Sequence, residues 1–387
     1  MKFNFDQLID RRHSDSGKWN YFDQDVLPLW VADMDFASPP AVLEALHQRI
    51  DHGVFGYGMD PQELSAEICD RMQRLYNWSV SPEEIIYLPG LVCGTNLVCR
   101  AVGQPGDSVL VQTPIYPPFL SAPANHEQEL VTAPLTLTGS GRTIGYEIDF
   151  DVFEAAIQPN TRLFILCNPH NPIGRGYSAA EQLKMAEICA RHNVVICSDE
   201  IHSDLLLNGA EHVPLATLSP EIGQNTITLL APSKTFNVPG LGCSMAIVPN
   251  KTLREKVKKA ALGIVPHVNV LGYAAALAAY QHGQDWLDEL LVYLAANRDF
   301  VVDFVTQQLP MLRTTVPNAT YLAWLDCRET GINGNPQQFF LKEAKVALNS
   351  GADFGADGKG FVRLNFGCPR ATLEQALQQM KTALSRV

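Results

Sequence analysis

Six apolar runs of five or six residues recur through the middle of the chain, and their spacing constrains the fold more than any other feature. They are "EIIYL" (84–88), "SVLVQ" (108–112), "RLFILC" (162–167), "VVICS" (194–198), "TITLL" (226–230) and "SMAIV" (244–248). Helical patterns lie between many of them, as at 179–192, where Leu183, Ala186, Glu187 and Ala190 set the helical period. Strands alternating with helices predict a mainly parallel sheet covered on both faces, hence an α/β fold. A first helix is expected with Ser38 as its N-cap, Pro39 and Pro40 at its start and Gly53 beyond its end. After about residue 250 the texture changes. Long helices over roughly 268–309 precede a hairpin or meander, "ATYLAWLD" and "GFVRLNF", and a final helix near 371–386. This predicts a second, smaller α+β domain joined by the N-terminal segment. A chain of 387 residues is expected to hold two domains. We place the large one at 48–283 and the small one at 1–47 and 284–387.

The composition, 46% hydrophobic and 18% charged, supplies a large core. A formal net charge of −12 argues against nucleic acid or an anionic membrane as partner, since both need basic patches. The first residues, "MKFNFDQLIDRRHSDSGKW", lack the apolar core of a signal peptide. No stretch approaches the ~20 apolar residues of a spanning helix. The nine cysteines are scattered and form no C-x-x-C pair, so buried free thiols and a cytoplasmic location are expected. The histidines show no H-x-x-x-H or H-E-x-x-H spacing, and no metal site is expected.

Ligands of open parallel sheets sit at the carboxyl ends of the strands. Three strands here end in polar punctuation. "RLFILC" leads into "NPHNPIG" with Asn168 and Asn171, "VVICS" into "DEIH" with Asp199 and His202, and "TITLL" into "APSK" with Ser233 and Lys234. A parallel sheet brings all three sets to one crevice. That set suits pyridoxal phosphate, which needs a lysine amine for covalent attachment, a carboxylate at its pyridine nitrogen and a donor near its phenolic oxygen. A partly desolvated lysine near a cation has a lowered pKa and can act as nucleophile and base. Each residue alone also has an ordinary reading. Asp199 could cap a helix, Asn171 before Pro172 could be a turn residue, and Lys234 could emerge at a loop.

The segments "NPHNPIG", "SDEIH" and "SKTFN" resemble the signatures of the fold-type I pyridoxal-phosphate enzymes, the aspartate aminotransferase superfamily. "LPLWVADMDF" (27–36), "HGVFGYG" (52–58), "YLAWLD" (321–326) and "GFVRLNFGCPR" (360–370) resemble the MalY/PatB group of cystathionine β-lyases within it. The resemblance covers essentially the whole chain. It implies that Lys234 carries the cofactor and later moves the α-proton, that Asp199 pairs with the pyridinium nitrogen, and that Asn171 bonds the phenolic oxygen. It implies that Tyr116 stacks on the ring, where the alternative is a core aromatic. Arg363 would bind the substrate α-carboxylate, with Ala32, Asn171 and Tyr116 beside it; the alternative for Arg363 is a salt bridge on a strand face. Gly90, Leu91 and Val92 would give backbone N–H groups to the phosphate at a helix N-terminus, though a plain turn would read the same. Tyr57 would reach the phosphate of a neighbouring subunit, which implies a homodimer.

Three positions depart from the aminotransferase pattern. His202 stands where a Tyr is usual, Ala231 where Ser or Thr is frequent, and Gly242 where many carry a phosphate-binding Arg. The phosphate is therefore expected to lean on backbone amides, Ser233 and Tyr57. The activity implied is α,β-elimination from L-cystathionine or a related S-substituted cysteine, giving a thiol (homocysteine), pyruvate and ammonia. An aminotransferase with the same site is the first alternative. A cofactor-bearing regulatory or interaction protein is the second. The distal pocket is expected near Trp30, Phe36 and Tyr116.

Overall fold

The computed structural model describes residues 2–387. Seven strands form the central sheet: β1 (Ile85–Leu88), β2 (Ser108–Thr113), β3 (Glu129–Pro134), β4 (Thr161–Cys167), β5 (Val195–Asp199), β6 (Thr226–Leu230) and β7 (Ser244–Ile247). Their order is β1-β7-β6-β5-β4-β2-β3. The pairs from β3 through β2, β4 and β5 to β6 are parallel. β7 runs antiparallel to both β6 and β1, the one reversal in a sheet otherwise parallel. All residues of β2, β6 and β7 are buried, as expected of strands covered on both faces, and this is why they read as unbroken apolar runs. β3 was not visible in the sequence. It is an edge strand whose residues are mostly exposed, so no apolar run marks it.

The longer helices are α1 (Pro40–Asp51), α2 (Gln62–Tyr76), α3 (Leu91–Val102), α4 (Ala179–Arg191), α5 (Lys251–Ala261), α6 (Val270–His282), α7 (Gln284–Gln308) and α8 (Arg370–Leu384). Alternate strand residues feed opposite layers. Val109 and Val111 pack with Leu97 and Val98 of α3 and with Val257 of α5. Leu110 and Phe164 pack with Met185 and Ile188 of α4. The buried stripe of α4 is Gln182, Met185, Ala186, Ile188 and Cys189. The expected stripe was rotated from this, since Leu183, Glu187 and Ala190 are exposed.

One further expectation is corrected. Ser38 is not the N-cap of α1; its Oγ donates to the Asn237 carbonyl at 3.1 Å, and Pro39 occupies the cap without a side-chain bond. A residue before proline avoids the helical region, so the helix cannot begin before Pro40 and Ser38 is left too far upstream. The long helices expected over roughly 268–309 are α6 and α7, which meet at Gly283, where an added Cβ would lie 2.5 Å from the Phe236 ring.

A second, six-stranded sheet is ordered Asn349–Ser350, Phe361–Asn365, Leu322–Asp326, Arg313–Thr315, Thr143–Glu147, Thr136–Thr138. "ATYLAWLD" and "GFVRLNF" supply its antiparallel centre, where Trp324 stacks on Phe361 at 5.3 Å. Two of its strands come from the chain between β3 and β4. The N-terminal segment joins this part: Leu27–Pro28 pairs with Val346–Ala347, and the Asn365 N–H donates to the Leu29 carbonyl. Among the described residues no helix is long and apolar enough to cross a membrane, and all nine cysteines are unpaired.

Candidate active site

The strand register sets the centre of the site. Cys167, Asp199 and Leu229 lie side by side at the carboxyl ends of β4, β5 and β6. The chain beyond these ends carries Asn171, His202, Ser233 and Lys234 into one cavity of about 390 Å³. Gly90, Leu91 and Val92 line it from the start of α3, Tyr116 from the loop after β2, and Arg363, Asn349, Trp30 and Ala32 from the second sheet and N-terminal segment. Asn168 does not line it. Its side chain is fully buried and accepts the Tyr177 N–H at 2.9 Å, a structural role.

Lys234 Nζ donates to the Ala32 carbonyl at 2.6 Å, which also accepts the Tyr321 hydroxyl at 2.8 Å. Burial and the Arg363 charge bring the Lys234 amine down to about 8, against the opposing pull of Asp33 and Asp199. A substantial neutral fraction therefore exists near neutral pH, as a nucleophile or proton carrier requires. Asp199 is buried, and burial pushes its carboxyl up to about 7 although the Ile201 N–H donates to Oδ1 at 3.0 Å. That bond is a local turn contact. No helix follows, and Oδ2 has no hydrogen-bond partner among the described residues. A cation in the cavity would restore the charged form.

Arg363 donates from Nη1 to Asn171 Oδ1 at 2.9 Å, and from Nη2 to the Trp30 carbonyl at 2.9 Å and Asn349 Oδ1 at 2.6 Å. Its Nε is buried without a partner. It forms no salt bridge among the described residues, so the strand-face ion pair is absent. A buried, unpaired guanidinium facing a cavity is a site for a carboxylate. Burial brings it down to about 10, and it stays charged near neutral pH.

The Asn171 Oδ1 is held by Arg363, which turns its amide nitrogen into a free donor beside the cavity. His202 is buried with Nδ1 unpartnered, and burial plus the charges of Lys234 and Arg363 hold it down to about 3. It is a neutral imidazole. An orphaned ring acceptor costs less than an orphaned N–H, which favours the proton on Nε2. Tyr116 meets Phe119 edge-on at 5.7 Å but keeps surface on the cavity, so it is not purely a core aromatic.

Gly90 opens α3 with extended backbone, and the space where its Cβ would stand is empty. The first N–H groups of α3 precede the first helical bond, from Gly94 to Gly90, and remain available to an anion. Gly242 has φ +57°, and a Cβ there would meet the Pro89 carbonyl at 3.0 Å. Any side chain at this position would meet that strain and that contact. Ala231 is buried and lines the cavity with its methyl group.

Tyr57 is fully exposed and does not line this chain's own cavity. Phe36 is not at the distal pocket either; it is buried against Phe5 at 5.3 Å and Tyr293 at 5.5 Å. Sequence reasoning missed Asn349 and Tyr321 as site residues, and the Trp30 carbonyl as a clamp on Arg363. Main-chain acceptors and short polar strands carry no sequence signal. The set fits pyridoxal phosphate: an open helix start for phosphate, a free carboxylate oxygen for a pyridinium, a partly neutral lysine for attachment and an unpaired guanidinium for an amino acid.

Comparison with known proteins agrees. Residues 24–380 match the family model of class I and II aminotransferases. Cystathionine β-lyase PatB of Bacillus subtilis (strain 168) is 41% identical over 99% of this chain and 100% of its own length. The crystal structure of OvoB superposes with TM-score 0.94 at 44% identity, covering 100% of both chains. Cystalysin from Treponema denticola, whose crystal structure contains a pyridoxal 5'-phosphate cofactor, superposes with TM-score 0.94 at 31% identity over 100% of both chains.

Proposed function

We propose a carbon–sulfur β-lyase reaction for this chain, which belongs to the class I and II aminotransferase family and, within it, to the MalY/PatB group of cystathionine β-lyases. The substrate is L-cystathionine or a related S-substituted L-cysteine. Cα loses its proton, the Cβ–S bond breaks, and the sulfur leaves as a thiolate that takes up a proton. The remaining three-carbon enamine takes up water to give pyruvate and ammonia. Pyridoxal phosphate, when bound, supplies the electron sink that lets the Cα–H bond ionise.

The observation that carries the reading is Arg363, a buried guanidinium with no carboxylate partner among the described residues, which shares one cavity with Lys234 and Asp199. Arg363 and Asn171 hold the α-carboxylate, next to Ala32. Lys234 would carry the cofactor, and it moves the Cα proton. Asp199 would pair with the pyridine nitrogen, and the Asn171 amide and His202 would donate at the phenolic oxygen. Tyr116 would stack on the ring. The N–H groups beginning at Gly90, Leu91 and Val92 would hold the phosphate with Ser233 and Tyr57 of a neighbouring subunit. We assign 48–283 to cofactor binding, and 1–47 with 284–387 to the smaller unit that brings Arg363. Unpaired thiols suit a cytoplasmic enzyme.

Relatives named cystathionine β-lyase favour elimination over amino transfer. The test is pyruvate release from L-cystathionine by the purified holoenzyme with no keto acid added. Stoichiometric pyruvate, ammonia and thiol are expected. Turnover that appears only with an added keto acid would overturn elimination in favour of transfer. Lys234→Ala should abolish turnover, and borohydride reduction before denaturation should fix the cofactor to the wild type but not to this variant.

A further inference from the structure

Three charged side chains line the cavity: Lys234, Asp199 and Arg363. Each has a task at the cofactor or the α-carboxylate, and His202, which also lines it, is neutral. The remaining wall near Arg363 is Trp30, Val31 and Asn349, none of them charged. Trp30 is fixed at three points. Its carbonyl accepts from Arg363 Nη2 at 2.9 Å, and its Nε1 donates to the Lys18 carbonyl at 3.1 Å. Tyr21 and Phe22 flank its ring at 5.0 and 5.5 Å. The residue that orients the carboxylate clamp thus also lines the cavity next to Arg363, with its ring held in an aromatic cluster. Tyr21 stands 70% exposed and extends this aromatic surface toward solvent.

We infer that this wall is an aromatic subsite for the leaving group. The inference rests on the lyase reading above and deepens it. Its preferred substrates are L-cysteines whose sulfur carries an aromatic group, ahead of L-cystathionine. The far end of cystathionine bears an ammonium and a carboxylate. Among the described residues this chain's lining offers no spare charge for either, and an unpaired charge there is costly, so that end stays in water and gains nothing from Trp30. An aromatic substituent gains the indole contact, with no charge to desolvate. With S-benzyl-L-cysteine the same bonds change hands: the Cα proton leaves, Cβ–S breaks, and the thiolate takes up a proton to leave as phenylmethanethiol. Water then converts the enamine to pyruvate and ammonia.

The test compares S-benzyl-L-cysteine with L-cystathionine by kcat/KM in the holoenzyme, alongside Trp30→Ala and Trp30→Phe. Wild type should favour the benzyl substrate by about tenfold or more, Trp30→Ala should lower that ratio about tenfold, and Trp30→Phe should restore most of it. A wild type that prefers cystathionine, or a Trp30→Ala that lowers both substrates equally, overturns the subsite. Binding of L-2-amino-5-phenylpentanoate, in which a methylene replaces the sulfur, is measured by calorimetry on the same proteins. If neither substrate turns over while Trp30→Ala weakens this analogue about tenfold, the lyase reading fails and the aromatic subsite stands. If Trp30→Ala leaves analogue binding unchanged, the subsite is overturned whatever the turnover.

Discussion

Asp199 shows what the site costs at the level of one residue. Burial pushes its carboxyl up to about 7, from an ordinary 3.8 in the unfolded chain. Between those values the folded chain holds a proton that the unfolded chain lacks. In the cofactor-free protein its contribution to stability therefore rises as pH falls from 7 towards 4 and is least favourable above 7. Asp199→Asn keeps the acceptor for the Ile201 N–H and removes the buried charge. It should raise the cofactor-free Tm at pH 8 by about 2 °C or more, with the gain shrinking towards pH 4. The same variant should bind pyridoxal phosphate more weakly, which a cofactor titration checks. A Tm gain that is flat with pH would sink the assignment of the strain to this carboxylate. Lys234, Asp199 and Asn171 were legible in the sequence because each follows an apolar strand, where a polar residue stands out. The arrangement around Arg363 was not. Asn349 reaches it through a strand of two residues, and Trp30 through a carbonyl, which every residue type carries.

Among the elements, runs buried on both faces announced themselves within a residue or two of their bounds. What failed was whatever depends on long-range partners. The direction of β7 is fixed by the short route from Lys234, since thirteen residues separate Leu230 from Ser244 and no crossover helix of useful length fits between them. The face of α4 is fixed by the sheet beneath it, and a four-residue period cannot tell two adjacent stripes apart. The turn before β7 also shapes the phosphate end of the site. Gly242 has φ +57° and leaves no room between its Cα and the Pro89 carbonyl, while Gly90 has extended backbone and open space beside it. The two glycines should therefore respond differently to alanine. Gly242→Ala meets both strain and contact, and should cost about 1 kcal/mol or more of stability, with cofactor affinity falling because Pro89 is displaced. Gly90→Ala should leave the Tm of the cofactor-free protein nearly unchanged and still weaken cofactor binding several-fold, because its methyl enters the space at the helix start. Thermal melts with and without cofactor separate the two cases. Equal loss of Tm in both variants would show that Gly90 is structural.

At the scale of the whole molecule, one chain leaves a conspicuous surface uncovered. Val54, Phe55, Tyr57 and Met59 are exposed along one segment, and Leu262 and Ile264 along another that leads into α6. An added Cβ on Gly58 would lie 3.1 Å from the Val270 side chain at the start of α6, which brings the two segments together. Exposed apolar side chains gathered in this way suit an interface. A second copy is the occupant that would also give Tyr57 a task, because its hydroxyl reaches nothing in its own chain's cavity. We therefore expect a homodimer of about 85 kDa, twice the 42.6 kDa chain, by light scattering. Composition of the site across subunits has a sharper test. Tyr57→Ala and Lys234→Ala are purified separately, and each should have low activity. Mixed under conditions of subunit exchange, they form hybrids in which one site holds the intact Lys234 of one chain and the intact Tyr57 of the other. Activity should then rise well above the average of the two variants, towards a quarter of the wild-type value for random pairing, since half the dimers are hybrids and each has one intact site of two. Activity that stays at the average after exchange is verified by mass would show that Tyr57 does not complete the neighbouring subunit's site.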